Sequence, residues 1–313
     1  MASPQLSAAT VTMSESYGWM NRGYGKNHVK LLHVRRDGAV HTIHDFQVNS
    51  ELTLSTDKDF IEGDNSDIIA TDSQKNTIYL LAKKHGITSP ETFALQLCEH
   101  YFNKYPHVIA VKIDVEEYPW RRTVVDGKAH NHSFVFSPEV THTCTATQKR
   151  GGQKAVVLTT GMEGLRVLKT TQSAFVNFVK DEYRSLPDMD DRVFSTVVTA
   201  NWTYSSVENI DFGLIWQRIL KIVWDKFAGP ADIGIFSPSV QHTLYIVQEA
   251  VLNEIPKVAN IEITMPNKHY FSIDLSKFPK VGCEHNNEVF LPVDKPSGNI
   301  TAKLGRVDLQ SKL

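Results

Sequence analysis

Apolar and polar residues alternate in two parts of the chain in the way that predicts antiparallel β-hairpins. Residues 29–33 alternate before Asp37-Gly38, a dipeptide typical of tight hairpin turns. In the second half, two further alternating segments, 141–147 and 155–160, flank Lys149-Arg150-Gly151-Gly152, and this pattern predicts another hairpin. The two halves of the chain therefore begin with the same kind of element.

A helical period of apolar residues follows in each half. Ser89-Pro90 predicts a helix start, with serine as the N-cap and proline as the first helical residue. Ser237-Pro238 predicts a second helix that starts in the same way, 148 residues later. At that offset Ile113 aligns with Ile261, each in an alternating strand that follows its helix, so the offset indicates a tandem duplication. A third helix is predicted around residues 212–223.

Hairpins followed by helices and then by strands predict an α+β fold, built from two tandem modules of an antiparallel sheet with helices on one face. We expect a flexible N-terminal extension at residues 1–20, a first module at 21–137, a second at 138–310 and a terminal tripeptide at 311–313. A sheet that is covered on one side leaves its other face and its edges open, which favours assembly into oligomers.

Composition excludes several classes of partner. The 33 lysines and arginines nearly balance the 35 aspartates and glutamates, giving a net charge of -2, so neither nucleic acid nor an anionic membrane is an expected partner. No apolar run approaches the roughly 20 residues of a membrane helix.

The three widely spaced cysteines, Cys98, Cys144 and Cys283, fit reduced intracellular thiols. The last three residues, Ser311-Lys312-Leu313, match the tripeptide that the peroxisomal import receptor reads, so we expect a peroxisomal location.

Common cofactor and metal motifs are missing from the sequence. It contains no glycine-rich phosphate loop, no CxxC pair and no HExxH helix. His130 and His132 would share one face of a strand, as two metal ligands do, and His41 and His44 form another close pair. Because spacing supplies no third ligand, we predict that no metal is bound and that these histidines are structural.

The segment from Leu165 to Arg192 reads LRVLKTTQSAFVNFVKDEYRSLPDMDDR. It resembles the signature of the urate oxidase family, with a Leu-Lys-Thr-Thr strand end, a Ser-x-Phe motif, spaced aromatic residues and an arginine six residues after a leucine. Further blocks fit the same family in the right order, and the resemblance covers roughly residues 22 to 313. These blocks are Tyr24-Gly25-Lys26, Ala70-Thr71-Asp72-Ser73, Lys75-Asn76-Thr77, Asp126 to Phe134, and Pro266 to Phe271 with Leu275.

The resemblance implies the tunnelling fold, in which each subunit carries two such modules and four subunits stack into a hollow β-barrel. It implies a homotetramer that oxidises urate with O2 and water to 5-hydroxyisourate and H2O2 in purine degradation, without a cofactor. It also implies that active sites lie at subunit interfaces, because the counterpart of Thr71 comes from a neighbouring subunit.

Residue roles carried over from the family fall into two groups. The proton-relay positions are Lys26, Thr71 and His269, and Asn267 with Thr71 holds oxygen or the attacking water. The substrate-binding positions are Thr71, Asp72, Phe175, Arg192, Val240, Gln241 and Asn267.

The chemistry of urate suits three of these residue types. Urate is a flat anion with carbonyl and N–H groups on its edge. Arg192 offers a planar bidentate fork, Gln241 offers a group that both donates and accepts, and Phe175 offers an aromatic face. Without the resemblance, the same residues would be read as a surface ion pair, a solvated helix residue and a core residue.

Two other interpretations remain open from the sequence. An enzyme of the same fold could act on a pterin or purine nucleotide, with a zinc ion held by histidine or cysteine, and metal content would distinguish it. A catalytically inactive descendant could serve as a binding protein, and loss of urate absorbance with formation of peroxide would distinguish that.

Overall fold

The computed structural model describes residues 16–151, 156–282 and 286–307. Most of the predicted N-terminal extension, Cys283 and the tripeptide 311–313 lie outside the described residues. Within the described ranges the fold is α+β, as predicted, and Cys98 and Cys144 are free, buried thiols. No helix there has the length and apolar character needed to cross a membrane.

By packing, the chain divides into two units. Met1–Pro138 and His142–Thr160 belong to the first unit, and Glu139–Thr141 and Gly161–Leu313 belong to the second. This division does not test the predicted boundary between modules at residues 137 and 138, which stays a prediction.

The first unit is an antiparallel sheet with helices packed on it. The sheet has the order β1-β2-β3-β6, and β4 pairs with β5 in a separate hairpin. The predicted turn at Asp37-Gly38 joins β1 to β2, and Gly38 adopts φ 58°, a conformation that favours glycine. The elements are β1 (Tyr24–Asp37), β2 (Val40–Leu54), α1 (Lys58–Ile61), α2 (Thr71–His85), α3 (Pro90–Lys104), β3 (Val108–Glu117), β4 (Trp120–Val125), β5 (Lys128–Phe136) and β6 (Thr141–Lys149).

The second unit repeats this plan. Its strands follow the order β7-β8-β9, and β10 and β11 pair with successive parts of β9. Its core packs α4 and α5 on the sheet, with Trp202, Ile219 and Val247 fully buried. The elements are β7 (Val157–Lys169, which begins in the first unit), β8 (Phe194–Tyr204), α4 (Phe212–Ala228), α5 (Val240–Glu254), β9 (Val258–Ser272), β10 (Phe290–Val293) and β11 (Asn299–Gly305).

The starts of the two matching helices confirm one prediction and correct the other. Ser89 caps α3, since its Oγ accepts the Thr92 N–H at 3.1 Å, and Pro90 is the first helical residue. The predicted start at Ser237-Pro238 is wrong, because Ser239 is the cap of α5. The Ser237 backbone is instead bound to Gln172 and Ala174, and this pairing holds residue 237 outside the helix.

The offset between the two units is therefore 150 residues rather than the predicted 148. Helices α3 and α5 start 150 residues apart, and so do strands β3 and β9. Arg150 and Arg306 provide an independent check, because each donates to three backbone carbonyls at positions that differ by the same 150. The acceptors are Phe102, Tyr105 and Val108 for Arg150, and Leu252, Ile255 and Val258 for Arg306.

A cluster of charged side chains is buried in the first unit. His142 Nε2 lies 2.7 Å from Glu91 Oε1, and His142 Nδ1 lies 3.6 Å from Glu117 Oε2. Glu117 also contacts His44 at 2.6 Å. Burial alone would lower the pKa of His142, but its bonds to Glu117 and Glu91 outweigh burial and raise this pKa to about 9. Burial alone would raise the pKa of Glu117, but the two histidines hold it at about 2.

This cluster predicts a pH-dependent stability that His142→Gln removes. The pKa of His142 is raised on folding, so its stabilisation is complete below about pH 6.5 and is lost as the pH rises through 9. At pH 6 we expect the parent to have a larger free energy of unfolding than the variant. This difference should decrease by on the order of 3 kcal/mol between pH 6 and pH 9.

Chemical denaturation at several pH values measures this margin. His107→Gln is the matched control, because the His107 ring contacts a backbone carbonyl in the same unit rather than a carboxylate. A margin for His142→Gln that does not change with pH would contradict the assignment.

Candidate active site

A cavity of about 290 Å³ lies in the second unit. Fourteen residues line it, among them Leu186, Met189, Gly298 and Ile300. Six of the residues predicted from the sequence are brought together in its lining, from the β7–β8 loop, the start of α5 and the end of β9. They are Phe175, Arg192, Val240, Gln241, Asn267 and His269.

The loop between β7 and β8 folds back on itself and so brings Phe175 close to Arg192. The backbones of Phe175 and Met189 exchange two hydrogen bonds, of 2.8 and 3.0 Å, and the Arg192 N–H donates to the Ser173 carbonyl at 2.8 Å. Residues 173–175 and 189–192 therefore run side by side, although fourteen or more positions separate the paired residues in sequence.

Arg192 carries a positive charge that lacks a counterion among the described residues. Its guanidinium carbon lies 5.5 Å from the centroid of the Phe175 ring and 5.9 Å from that of Phe194. Its Nε is buried and has no hydrogen-bond partner in the described structure. Burial lowers the pKa of Arg192, yet a guanidinium stays charged in proteins. A cation in this state favours an anionic ligand in the cavity.

Helix α5 adds a second feature that attracts an anion. Val240 and Gln241 are its first two residues, and both line the cavity. Backbone N–H groups at a helix N-terminus lack partners within the helix, and the helix dipole places partial positive charge there. The exposed Gln241 carboxamide can both donate and accept at the edge of a planar ligand.

Strand β9 contributes the remaining polar groups. The Asn267 N–H donates to the Gly298 carbonyl at 2.7 Å, which fixes this part of the strand beside the cavity. The His269 ring stacks on Phe271 with 5.6 Å between centroids. Burial, together with the positive charge of Arg192, lowers the pKa of His269, so this imidazole is neutral near pH 7 and free to accept a proton.

Lys26, Thr71 and Asp72 lie in the first unit and are not among the residues that line this cavity. Lys26 precedes an irregularity in the β1–β2 pairing, and Thr71 and Asp72 are the first two residues of α2. Asp72 accepts from Lys75 at 2.6 Å, and this bond and the nearby charges of Lys75 and Lys26 lower its pKa. The three predicted residues are therefore neighbours in their own unit.

Lys169 also supports this site, although the sequence did not predict that role. Its Nζ donates to the Ile235 carbonyl at 2.7 Å and to Ser237 Oγ at 2.8 Å, just before the start of α5. Burial lowers the pKa of Lys169 to about 8. Lys169 is the last residue of β7, and its two bonds hold the segment that precedes Gln241 against the end of this strand. Its place in the Leu-Lys-Thr-Thr motif at the end of a strand was the available signal.

Histidine pairs provide no metal centre by themselves. The rings of His130 and His132, on β5, lie 4.6 Å apart, and His41 lies 5.7 Å from His132. Across the described ranges, no group of three or more His, Cys, Asp or Glu side chains is placed to hold a metal ion. The prediction that no metal is bound stays a prediction.

Comparison with known proteins agrees with the resemblance. The model of the uricase family matches residues 22–147 and 158–301. Uricase of Drosophila melanogaster is 51% identical, covering 95% of this chain and 91% of the relative, and uricase of Oryctolagus cuniculus is 44% identical, covering 97% and 100%. The crystal structure of uricase from Arthrobacter globiformis superposes with a TM-score of 0.84 at 32% identity, covering 93% of this chain and 95% of the other. These matches confirm the family resemblance and the fold, and they favour the uricase family over an enzyme of the same fold that acts on a pterin or purine nucleotide.

Lys169→Met is expected to weaken urate binding about tenfold, because it removes two charge-assisted hydrogen bonds that hold the segment before Gln241. Lys169→Arg keeps the charge and the donors and should recover most of the affinity. The dissociation constant of urate under anaerobic conditions, with KM and kcat in air, measures the effect. Lys257→Met is the matched control, an exposed lysine of the same unit that also donates to a carbonyl. Equal affinity in the Lys169→Met variant and the parent would contradict this role.

Proposed function

Because the chain belongs to the uricase family and is a urate oxidase, we propose that the cavity of the second unit binds the urate anion for reaction with O2. The observation that carries the site assignment is the half-buried Arg192 guanidinium, which lacks a counterion among the described residues and faces the same cavity as Phe175 and Gln241. A planar anion satisfies all three groups at once.

Binding uses the edge and the face of the ring separately. Arg192 donates two parallel hydrogen bonds to one edge of urate, a geometry that a lysine does not provide. The Gln241 carboxamide pairs with an N–H and a carbonyl on the opposite edge. Phe175 stacks on the ring face, while Val240 and Asp72 complete the binding positions.

Oxidation removes two electrons and two protons from the system formed by urate and water. Urate, O2 and water give 5-hydroxyisourate and H2O2: the ring gains a hydroxyl from water, and O2 gains two electrons and two protons. Lys26 takes a proton from the Thr71 hydroxyl, His269 passes protons to or from water, and Asn267 with Thr71 holds oxygen or water above the ring. The lowered pKa of His269 supports a neutral imidazole in this role. No cofactor is needed, because the deprotonated ring is easily oxidised.

A second copy of the chain completes the site. The residues of the proposed relay are divided between the units, with Lys26, Thr71 and Asp72 in the first and His269 and Asn267 in the second. We propose that the first unit of one subunit meets the cavity of another in a homotetramer that forms a hollow barrel. The three first-unit residues are half-buried or exposed in the single chain, which supports their use at an interface.

A peroxisomal location is part of the proposal and is supported by Ser311-Lys312-Leu313. Changing Leu313 to aspartate should prevent recognition by the import receptor and leave the protein in the cytosol, as fluorescence microscopy of an N-terminally tagged chain would show. Unchanged import would refute this address.

The assay that tests the function uses purified protein treated with a chelator and dialysed. We expect urate absorbance to fall in air-saturated buffer, with one H2O2 formed per urate consumed. Arg192→Ala should bind urate more weakly by at least about tenfold, since hydrogen bonds to charged groups contribute about 1.5–3 kcal/mol. Urate that stays unchanged with metal-free protein and reacts once a metal is restored would overturn the cofactor-free proposal.

Complementation tests whether two chains share a site. Lys26→Ala should lower turnover by about 10²–10⁴, and Arg192→Ala should impair binding. Co-expression of the two variants should restore about a quarter of the parent activity, because that fraction of interface sites pairs an intact first unit with an intact second unit. The double variant, co-expressed with either single variant, is the control and should restore none. A mixture no more active than its components would show that each chain completes its own site.

A further inference from the structure

Three positions that line the cavity of the second unit have counterparts in the first unit. At the 150-residue offset, Gln241 corresponds to Glu91, since each is the second residue of its helix. Asn267 corresponds to Glu117, since each is the tenth residue of its strand.

The third counterpart follows from strand pairing. Gly298 lies opposite Asn267, whose N–H it accepts, and His142 lies opposite Glu117 in the β3–β6 register. The first unit therefore has Glu91, Glu117 and His142 where the second has Gln241, Asn267 and Gly298.

Because of these differences, the position is open in the second unit and filled by a side chain in the first. Gly298 has no side chain, and a Cβ there would meet only ordinary contacts, at 3.9 and 4.0 Å, so the second unit keeps free space at this position. In the first unit the His142 imidazole occupies the corresponding space and is only 8% exposed. Its Nε2 contacts Glu91 at 2.7 Å, and Glu91 is the counterpart of the Gln241 that faces the ligand space. The His142 imidazole thus meets the start of α3 in the first unit, whereas the second unit leaves open space beside the start of α5.

We propose that the first unit contains a closed counterpart of the substrate cavity, in which the His142 imidazole is a built-in ligand, and that deleting this side chain opens a site for a planar nitrogen cation such as imidazolium. The part of this inference that concerns the second unit rests on the proposed function, because it takes that cavity as the urate site.

The charges around His142 explain why the first site would take a cation and not urate. Glu91 on α3 and Glu117 on β3 face the ring, with His44 of β2 beyond Glu117 and the thiol of Cys144 near Glu91. Glu91 is fully buried, and its Oε2 has no partner in the described structure. A buried carboxylate beside a half-buried one favours a positive charge between them.

The first unit also lacks the loop that supplies the groups for an anion. Strands β1 and β2 are joined by the short turn at Asp37-Gly38, whereas β7 and β8 are joined by the long loop that carries Phe175 and Arg192. Each chain should therefore bind one urate, although the corresponding backbone positions occur in both units.

Chemical rescue tests the first site in the full chain. His142→Gly should lower the melting temperature by about 10 °C, because it leaves the buried Glu91 carboxylate without its cation and leaves Glu117 with His44 alone. Added imidazole should raise the melting temperature of this variant in a saturable manner at pH 6, where imidazole is protonated, and much less at pH 9. The parent should not respond. His107→Gly is the matched control, since its ring contacts a backbone carbonyl, and imidazole should not rescue it. A folded His142→Gly variant that imidazole does not stabilise overturns the proposal.

The reciprocal variant keeps the proposal falsifiable if His142→Gly does not fold. Gly298→His places an imidazole beside Gln241 and should abolish anaerobic urate binding while the melting temperature is retained; Gly298→Ala, which adds one methyl group, should weaken binding far less. Undiminished urate binding by Gly298→His overturns the correspondence. If Arg192→Ala also leaves urate binding unchanged, the proposed urate site is itself wrong, whereas imidazole rescue in the first unit is read independently of urate.

Discussion

A half-buried guanidinium without a counterion is the constraint on which the second unit depends. Removing a charge from water is unfavourable unless another group compensates it, and among the described residues Arg192 has the faces of Phe175 and Phe194 nearby but no carboxylate. The β7–β8 loop holds this residue in place through its paired backbone segments. An anion that enters the cavity removes the unfavourable state, so part of the binding free energy is already built into the empty site.

The first unit resolves the corresponding constraint in the opposite way. It places the cation His142 between the buried Glu91 and the half-buried Glu117, so each carboxylate has a cationic partner inside the fold. The same backbone plan thus gives a self-sufficient cluster in one unit and an incomplete one in the other. The two units can therefore differ in role. The first unit compensates its own charges, while the second keeps the space and the uncompensated charge that a ligand requires.

Sequence patterns predicted the element types, and the family resemblance predicted six of the fourteen residues that line the cavity, but the patterns located one repeat boundary incorrectly. The run Ser237-Pro238-Ser239 contains two possible caps, and only the backbone pairing of Ser237 with residues 172–174 decides between them. That pairing joins segments more than sixty residues apart, so no local pattern contains it. The incorrect offset of 148 in turn hides the relation of Glu91 to Gln241, which align only at the offset of 150. Lys169 was visible in a motif, but its acceptors at residues 235 and 237 were not.

The oxidation that we propose needs both a bound anion and a base that removes its protons, and the residues assigned to these two tasks lie in different units. A lysine in the second unit is affected by its surroundings, since burial lowers the pKa of Lys169 to about 8. The proposed base Lys26 lies in the first unit instead, near Asp72, whose pKa its charge helps to lower. In the oligomer that we propose, assembly of subunits brings base and substrate together, and the division of these residues between the units is a physical reason for an oligomeric enzyme.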